Sequence, residues 1–247
     1  MSGDTNRSDE IANKLRDEIL AGVHRPGDRL PPERELATKL GVNRGSVREA
    51  LKKLEQLGLV ATRRGDGSTV RPLHEASIEV VRHLLRVKGG INRPLLEQLL
   101  DVNEMLLSGA SYISVERGSD DALERAREVV RRLARVESVE EMHSVIDELV
   151  DIVTITSGNL VLRLFRNAFR PSAGEGLQML RSRLSLDPEG LREAARALDA
   201  AIMARDPAAA EKAVRSLSRL RREHLTKALD AVEARTSRAP RGASDAL

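Results

Sequence analysis

Residues 40–51 read LGVNRGSVREAL, and Asn43, Arg44, Ser46 and Arg48 within them can all hydrogen-bond a flat polar surface. Arg44 and Arg48 are four apart, so a helix sets both on one side, away from Val47, Leu51 and Leu54. The forked guanidinium of arginine donates in pairs, which matches guanine O6 and N7 or a phosphate. Asn43 and Ser46 can reach phosphate oxygens or base edges. Gly45 weakens a helix, but it lets the backbone come close to a groove. Arg34 upstream, with Arg63 and Arg64 downstream, are spaced for backbone or minor-groove contact. The chemistry implied is recognition of a polyanion.

A second set, His143, Asp147 and Asp151, repeats every four residues and carries nitrogen and oxygen donors of the kind a divalent metal takes. Its outer members are ~12 Å apart along a helix, so one ion cannot hold all three. The set also lies off the apolar Met142/Ile146/Leu149/Val150/Val153 face, and it reads as a solvated surface. No metal and no cofactor is expected. Catalysis is equally unsupported. There is no cysteine, no GxSxG and no P-loop, and His24, His74, His83, His143 and His224 are scattered. The chain reads as no enzyme, with no catalytic residue.

At 247 residues there is room for two domains. The net charge of +3 is unevenly placed: residues 1–71 hold 14 Lys and Arg against 11 Asp and Glu, and the rest of the chain is balanced. The excess sits where a polyanion contact would want it. Tyr112, Phe165 and Phe169 are the whole aromatic content, which argues against binding single strands by base stacking. The absence of cysteine and of any apolar run near ~18 residues points to a cytoplasmic protein with no membrane partner.

The elements that must position these groups follow from periodicity. Ile11, Leu15, Ile19 and Leu20 predict an amphipathic helix over 9–23, which HRPGDRLPP then breaks. ERELATKLG is a short helix closed by Gly41, and Asn43 caps a third helix running to about Leu57. Alternation around Gly65-Asp66-Gly67 predicts two short strands and a tight turn. The order is that of a winged helix-turn-helix. The fold class is mainly α: a winged helix-turn-helix with a small β-hairpin wing over 8–72, a linker over 73–78, and an all-α bundle of six or seven helices over 79–232. Residues 233–247 lack apolar residues and read as disordered.

Residues 26–70 match the shape PGxxLPxERxLAxxLGVxRxxVRxALxxLxxxGLV…xGxGxxV nearly end to end. The segment resembles the DNA-binding domain of the GntR family of bacterial transcription regulators. That resemblance implies a homodimer on a short palindromic double-stranded DNA operator. Its contacting positions correspond here to Arg34, Asn43, Arg44, Ser46, Arg48 and the wing at Arg64 and Gly65. Asp66 at the wing tip is less favourable beside phosphate than a lysine.

The bundle resembles the effector domain of the FadR subfamily over about 78–230, through SGN at 157–159 and ALDAAIMARDPAAAEKAV at 197–214. The resemblance implies an effector pocket involving Asn103, Ile146, Val150, Asn159, Ala195 and Leu217. The four positions that hold a metal in many such domains fall on Ile146, Val150, Ala195 and Leu217, all apolar, and the carboxylate-gripping arginine falls on Asn103. An apolar, metal-free pocket points to a small-molecule effector such as a fatty acid or acyl-CoA. The Arg163, Arg166, Arg170 stripe is available for its phosphates. The alternatives are a small organic or sugar acid, with or without metal, or a filled core in a helical interaction protein that takes no ligand.

Overall fold

The computed structural model describes residues 2–63, 66–87, 90–168 and 186–238. It divides between Leu84 and Leu85 into two units. In the N-terminal unit, helix α1 (Ser2–Leu20) turns Ile11, Ala12, Leu15 and Ile19 into the core. Helix α2 (Glu33–Leu40) follows two prolines and stops at Gly41, whose φ of 65° is open to glycine without steric cost. The N–H groups of Gly41 and Val42 return to the carbonyls of Thr38 and Ala37. Helix α3 (Arg44–Gln56) buries Val47, Ala50, Leu51 and Leu54 against α1 and α2. Strands β1 (Val60–Arg63) and β2 (Gly67–Val70) form an antiparallel hairpin with Val60 opposite Val70.

The N-terminal unit departs from the sequence expectation in three places. The first helix begins at Ser2 and ends at Leu20, because its polar first turns carry no apolar stripe for periodicity to register. The segment expected as a plain break adds a strand-like edge to the wing. Arg29 bridges Thr69, and the Leu30 N–H donates to the Ser68 carbonyl at 2.9 Å. One buried leucine among prolines and glycines is too short a signal for a strand. Residues 73–84, which include the expected linker, form two 3-10 turns and the short helix α4 (Val81–Leu84), and Val80 is buried in the N-terminal core.

The second unit starts with a small antiparallel pair, β3 (Arg86–Val87) and β4 (Gly90–Ile91), which helical periodicity does not signal. Then come α5 (Arg93–Arg117), α6 (Asp120–Leu133), α7 (Val139–Thr156), α8 (described over 160–168), α9 (Pro188–Met203) and α10 (Pro207–Arg238). Helix α10 packs along α5 and α9, α6 lies on α7 and α9, and α5 lies on α7. Ser119, Ser138 and Asp187 cap α6, α7 and α9 through their side-chain oxygens. The core is aliphatic, with Val130, Leu133, Val145, Ala195 and Leu198 almost wholly enclosed. Helix α10 continues past Val232 to Arg238, and the rest of the tail lies outside the described residues. Among the described residues, no helix is long and apolar enough to cross a membrane. The architecture is mainly α, a winged helix-turn-helix followed by an all-α bundle.

Candidate functional site

The first turn of α3 is set by its cap. Asn43 Oδ1 accepts from the Ser46 N–H at 2.8 Å and from Ser46 Oγ at 3.2 Å. Ser46 is therefore turned inward, only 4% exposed, and is not presented to the phosphates or base edges that the sequence reading puts within its reach. A Cβ on Gly45 would lie 3.0 Å from Asn43 Oδ1, so glycine here also protects the cap. Arg44 and Arg48 are left facing out, with Arg34 exposed on α2. Among the described residues, the side chains of Arg34 and Arg44 have no ion-pair or hydrogen-bond partner. Arg48 differs. Its Nε and Nη2 donate to the two carboxylate oxygens of Glu33 at 3.2 and 3.0 Å. That hydrogen bonding, with the charge of Glu33, raises its pKa above the ordinary arginine value.

On the wing, Arg63 is exposed at the end of β1, while Arg64 and Gly65 lie outside the described residues. Asp66 is paired with Arg29 at 2.6 Å, so an arginine offsets the acid at the wing tip. Sequence reasoning missed Arg29. It reaches the wing through its bridge to Thr69, a tertiary pairing that spacing along the chain does not reveal.

The candidate effector residues divide. Ile146, Val150 and Leu217 line one apolar cavity of about 60 Å³, together with Leu107 and Val153. Asn103 lines a second cavity of about 40 Å³, which shares Leu107, Val150 and Arg221 with the first and adds Asp147, Thr154 and Arg166. Ala195 and Asn159 line neither. Ala195 is packed in the core, and exposed Asn159 caps α8 by accepting from the Leu162 N–H at 3.1 Å. Arg221 borders both cavities and a third that contains His143 and His224. Sequence reasoning missed it too, although it stands one helical turn beyond Leu217.

Of the arginine stripe, Arg163 is exposed, Arg170 lies outside the described residues, and Arg166 turns inward with a side chain 14% exposed. Its Nη2 is 3.2 Å from Asp147 and its Nε 3.6 Å from Asp151. Two of the three residues read as a solvated face thus hold an arginine. The third, His143, donates from Nδ1 to the Val139 carbonyl at 2.7 Å. Among the described residues, no three His, Asp or Glu side chains gather as a metal site. Chemically, the region offers an apolar hollow bordered by the Arg221 guanidinium, the Asn103 amide and the Arg166–Asp147 ion pair, and a guanidinium beside apolar walls suits an anion on a small apolar body.

Comparison with known proteins bears on both units. Residues 7–70 match the family described as bacterial regulatory proteins, gntR family. The HTH-type transcriptional regulator Mce2R of Mycobacterium tuberculosis is 31% identical over 221 residues, covering 87% of this chain and 91% of its own. An uncharacterized HTH-type transcriptional regulator of Mycobacterium bovis is similar to the same extent, 31% over 221 residues with 87% and 91% coverage. In fold alone, the chain is similar to Lar, described as controlling expression of the Listeria monocytogenes agr system. The TM-score is 0.52 at 16% identity, over 90% of this chain and 96% of that one.

Proposed function

This chain belongs to the gntR family of bacterial regulatory proteins, and from that membership we propose that it binds a short palindromic operator as a homodimer and responds to a small organic acid. It is a ligand-responsive DNA-binding regulator and not an enzyme. The observation that carries the DNA reading is the pair of exposed arginines, Arg34 and Arg44, on the two helices of the motif, neither with a side-chain partner among the described residues. Arg48 joins them, Asn43, Gly45 and Ser46 fix the helix start, and Arg64 and Gly65 are the wing positions that the family resemblance assigns. Effector binding in the helical unit, which we assign to the FadR type, changes the spacing of the two DNA-binding units and so the operator affinity.

For the effector, the carrying observation is Arg221 at the junction of an apolar and a polar cavity. A guanidinium there favours a carboxylate, and the aliphatic lining favours a short carbon body. A cavity of about 60 Å³ is far smaller than the roughly 300–1,000 Å³ of ordinary ligand pockets, so a long acyl chain would have to unpack the bundle. This favours the small acid over the fatty acid or acyl-CoA that the apolar positions first suggest. The test is to select an operator from randomised DNA and titrate the complex with short mono- and dicarboxylic acids and, separately, long-chain acyl-CoA. Release by a short acid is expected. Release by acyl-CoA with none by any short acid would overturn the effector assignment.

A further inference from the structure

We propose that Glu33 makes Arg48 a base-reading group, gripping one edge of its guanidinium so that the other edge is presented to a guanine. The inference rests on the DNA-binding reading above and concerns what each outward arginine does there. A guanidinium has two forked edges, one formed by Nε and Nη2 and the other by Nη1 and Nη2. Glu33 takes the first with both carboxylate oxygens, at 3.2 and 3.0 Å. The second edge points away from Glu33 on a side chain 63% exposed, and its spacing matches O6 and N7 of guanine.

Arg48 and Arg44 sit one turn apart on the same helix, yet their circumstances are opposite. Arg44 has no partner among the described residues and can swing to whichever phosphate or base is nearest. Arg48 is tethered across from α3 to the first turn of α2, where the helix N-terminus favours a carboxylate. The tether restricts its rotamers before binding, so less freedom is lost on docking. The carboxylate also makes the pair nearly neutral, which weakens it as a clamp on phosphate but leaves its hydrogen-bonding geometry toward a neutral base edge. Glu33 is a positioning residue in this account, acting through Arg48.

The experiment compares the full chain with Glu33→Gln and Arg48→Lys on an operator selected from randomised DNA. Each operator guanine is replaced in turn by 7-deazaguanine, which removes the N7 acceptor. Glutamine keeps the shape but converts one acceptor to a donor, so it breaks the fork with little demand on folding; thermal unfolding checks this. For the unmodified chain, one guanine per half-site should lose about tenfold in affinity on replacement. In Glu33→Gln that penalty should fall to about twofold, with binding to non-specific DNA rising and its salt dependence steepening. Arg48→Lys should lose the same penalty. Equal penalties at every guanine in the unmodified chain and Glu33→Gln would overturn the proposal. So would a Glu33→Gln chain that binds operator and non-specific DNA tighter by one common factor, since Glu33 would then be only a charge brake. If the unmodified chain selects no sequence at all, the DNA-binding reading falls, and this proposal with it.

Discussion

Asp66 at the tip of the wing lies 2.6 Å from Arg29, tying the hairpin turn to the segment that leads into α2. Both side chains are substantially exposed, so the pair contributes little to stability, about 0–1 kcal/mol. Its consequence is electrostatic: the acid at the wing tip is offset, and an arginine is held there. Asp66→Asn should release Arg29 to a phosphate. Non-specific DNA binding then tightens several-fold and the salt slope steepens by about one unit, with unchanged thermal unfolding. Anisotropy titrations across a salt series read this directly, and an unchanged slope would remove Arg29 from the interface.

Arg44→Ala should weaken operator binding by about 1–3 kcal/mol. Its side chain is exposed and has no ion-pair or hydrogen-bond partner among the described residues, so the melting temperature should stay put. A gel shift beside a thermal melt separates the two effects.

Asn43→Ala removes the acceptor for the Ser46 N–H and for the inward Ser46 hydroxyl. Loss of the cap should cost about 1 kcal/mol of stability. Operator binding should weaken as well, because the first turn of α3 frays where Arg44 is attached. An equilibrium urea unfolding curve and a binding isotherm check both halves.

Gly58 links α3 to β1 with a φ of 69°, and a Cβ there would stand 2.9 Å from the Glu75 carbonyl oxygen. Backbone conformation and space both exclude a side chain. Gly58→Ala should therefore destabilise by more than about 1 kcal/mol and lower the melting temperature by several degrees. A melt followed by circular dichroism that shows no decrease would refute the close approach.

Arg221→Gln should leave operator affinity unchanged and abolish release by the short acid that works on the unmodified chain. It is a cation that lines both cavities. Loss of operator binding in the variant would instead mean that Arg221 supports the fold.

The sequence by itself determined the helix-turn-helix, because each of its parts is a short-range event. Gly41 stops α2 by taking a left-handed turn, Asn43 caps α3 within three residues, and Val47, Leu51 and Leu54 mark the buried stripe by spacing alone. The outward direction of Arg44 and Arg48 follows from that stripe. Ile146, Val150 and Leu217 could be named only through the family resemblance, and the packing of three helices brings them to one cavity with Leu107. What only the tertiary structure decided are pairings between residues distant along the chain: Glu33 with Arg48, Arg29 with Asp66, and Arg166 with Asp147 and Asp151. Charged side chains carry no periodic signal, since any of them is equally at home in water. Their partners are chosen by the helix crossings and strand bridges that the apolar core imposes. The two cores likewise bring Arg221 and Asn103 to one cavity and turn Ser46 inward, so the sequence names the second helix of the motif while packing decides how each of its polar groups is held.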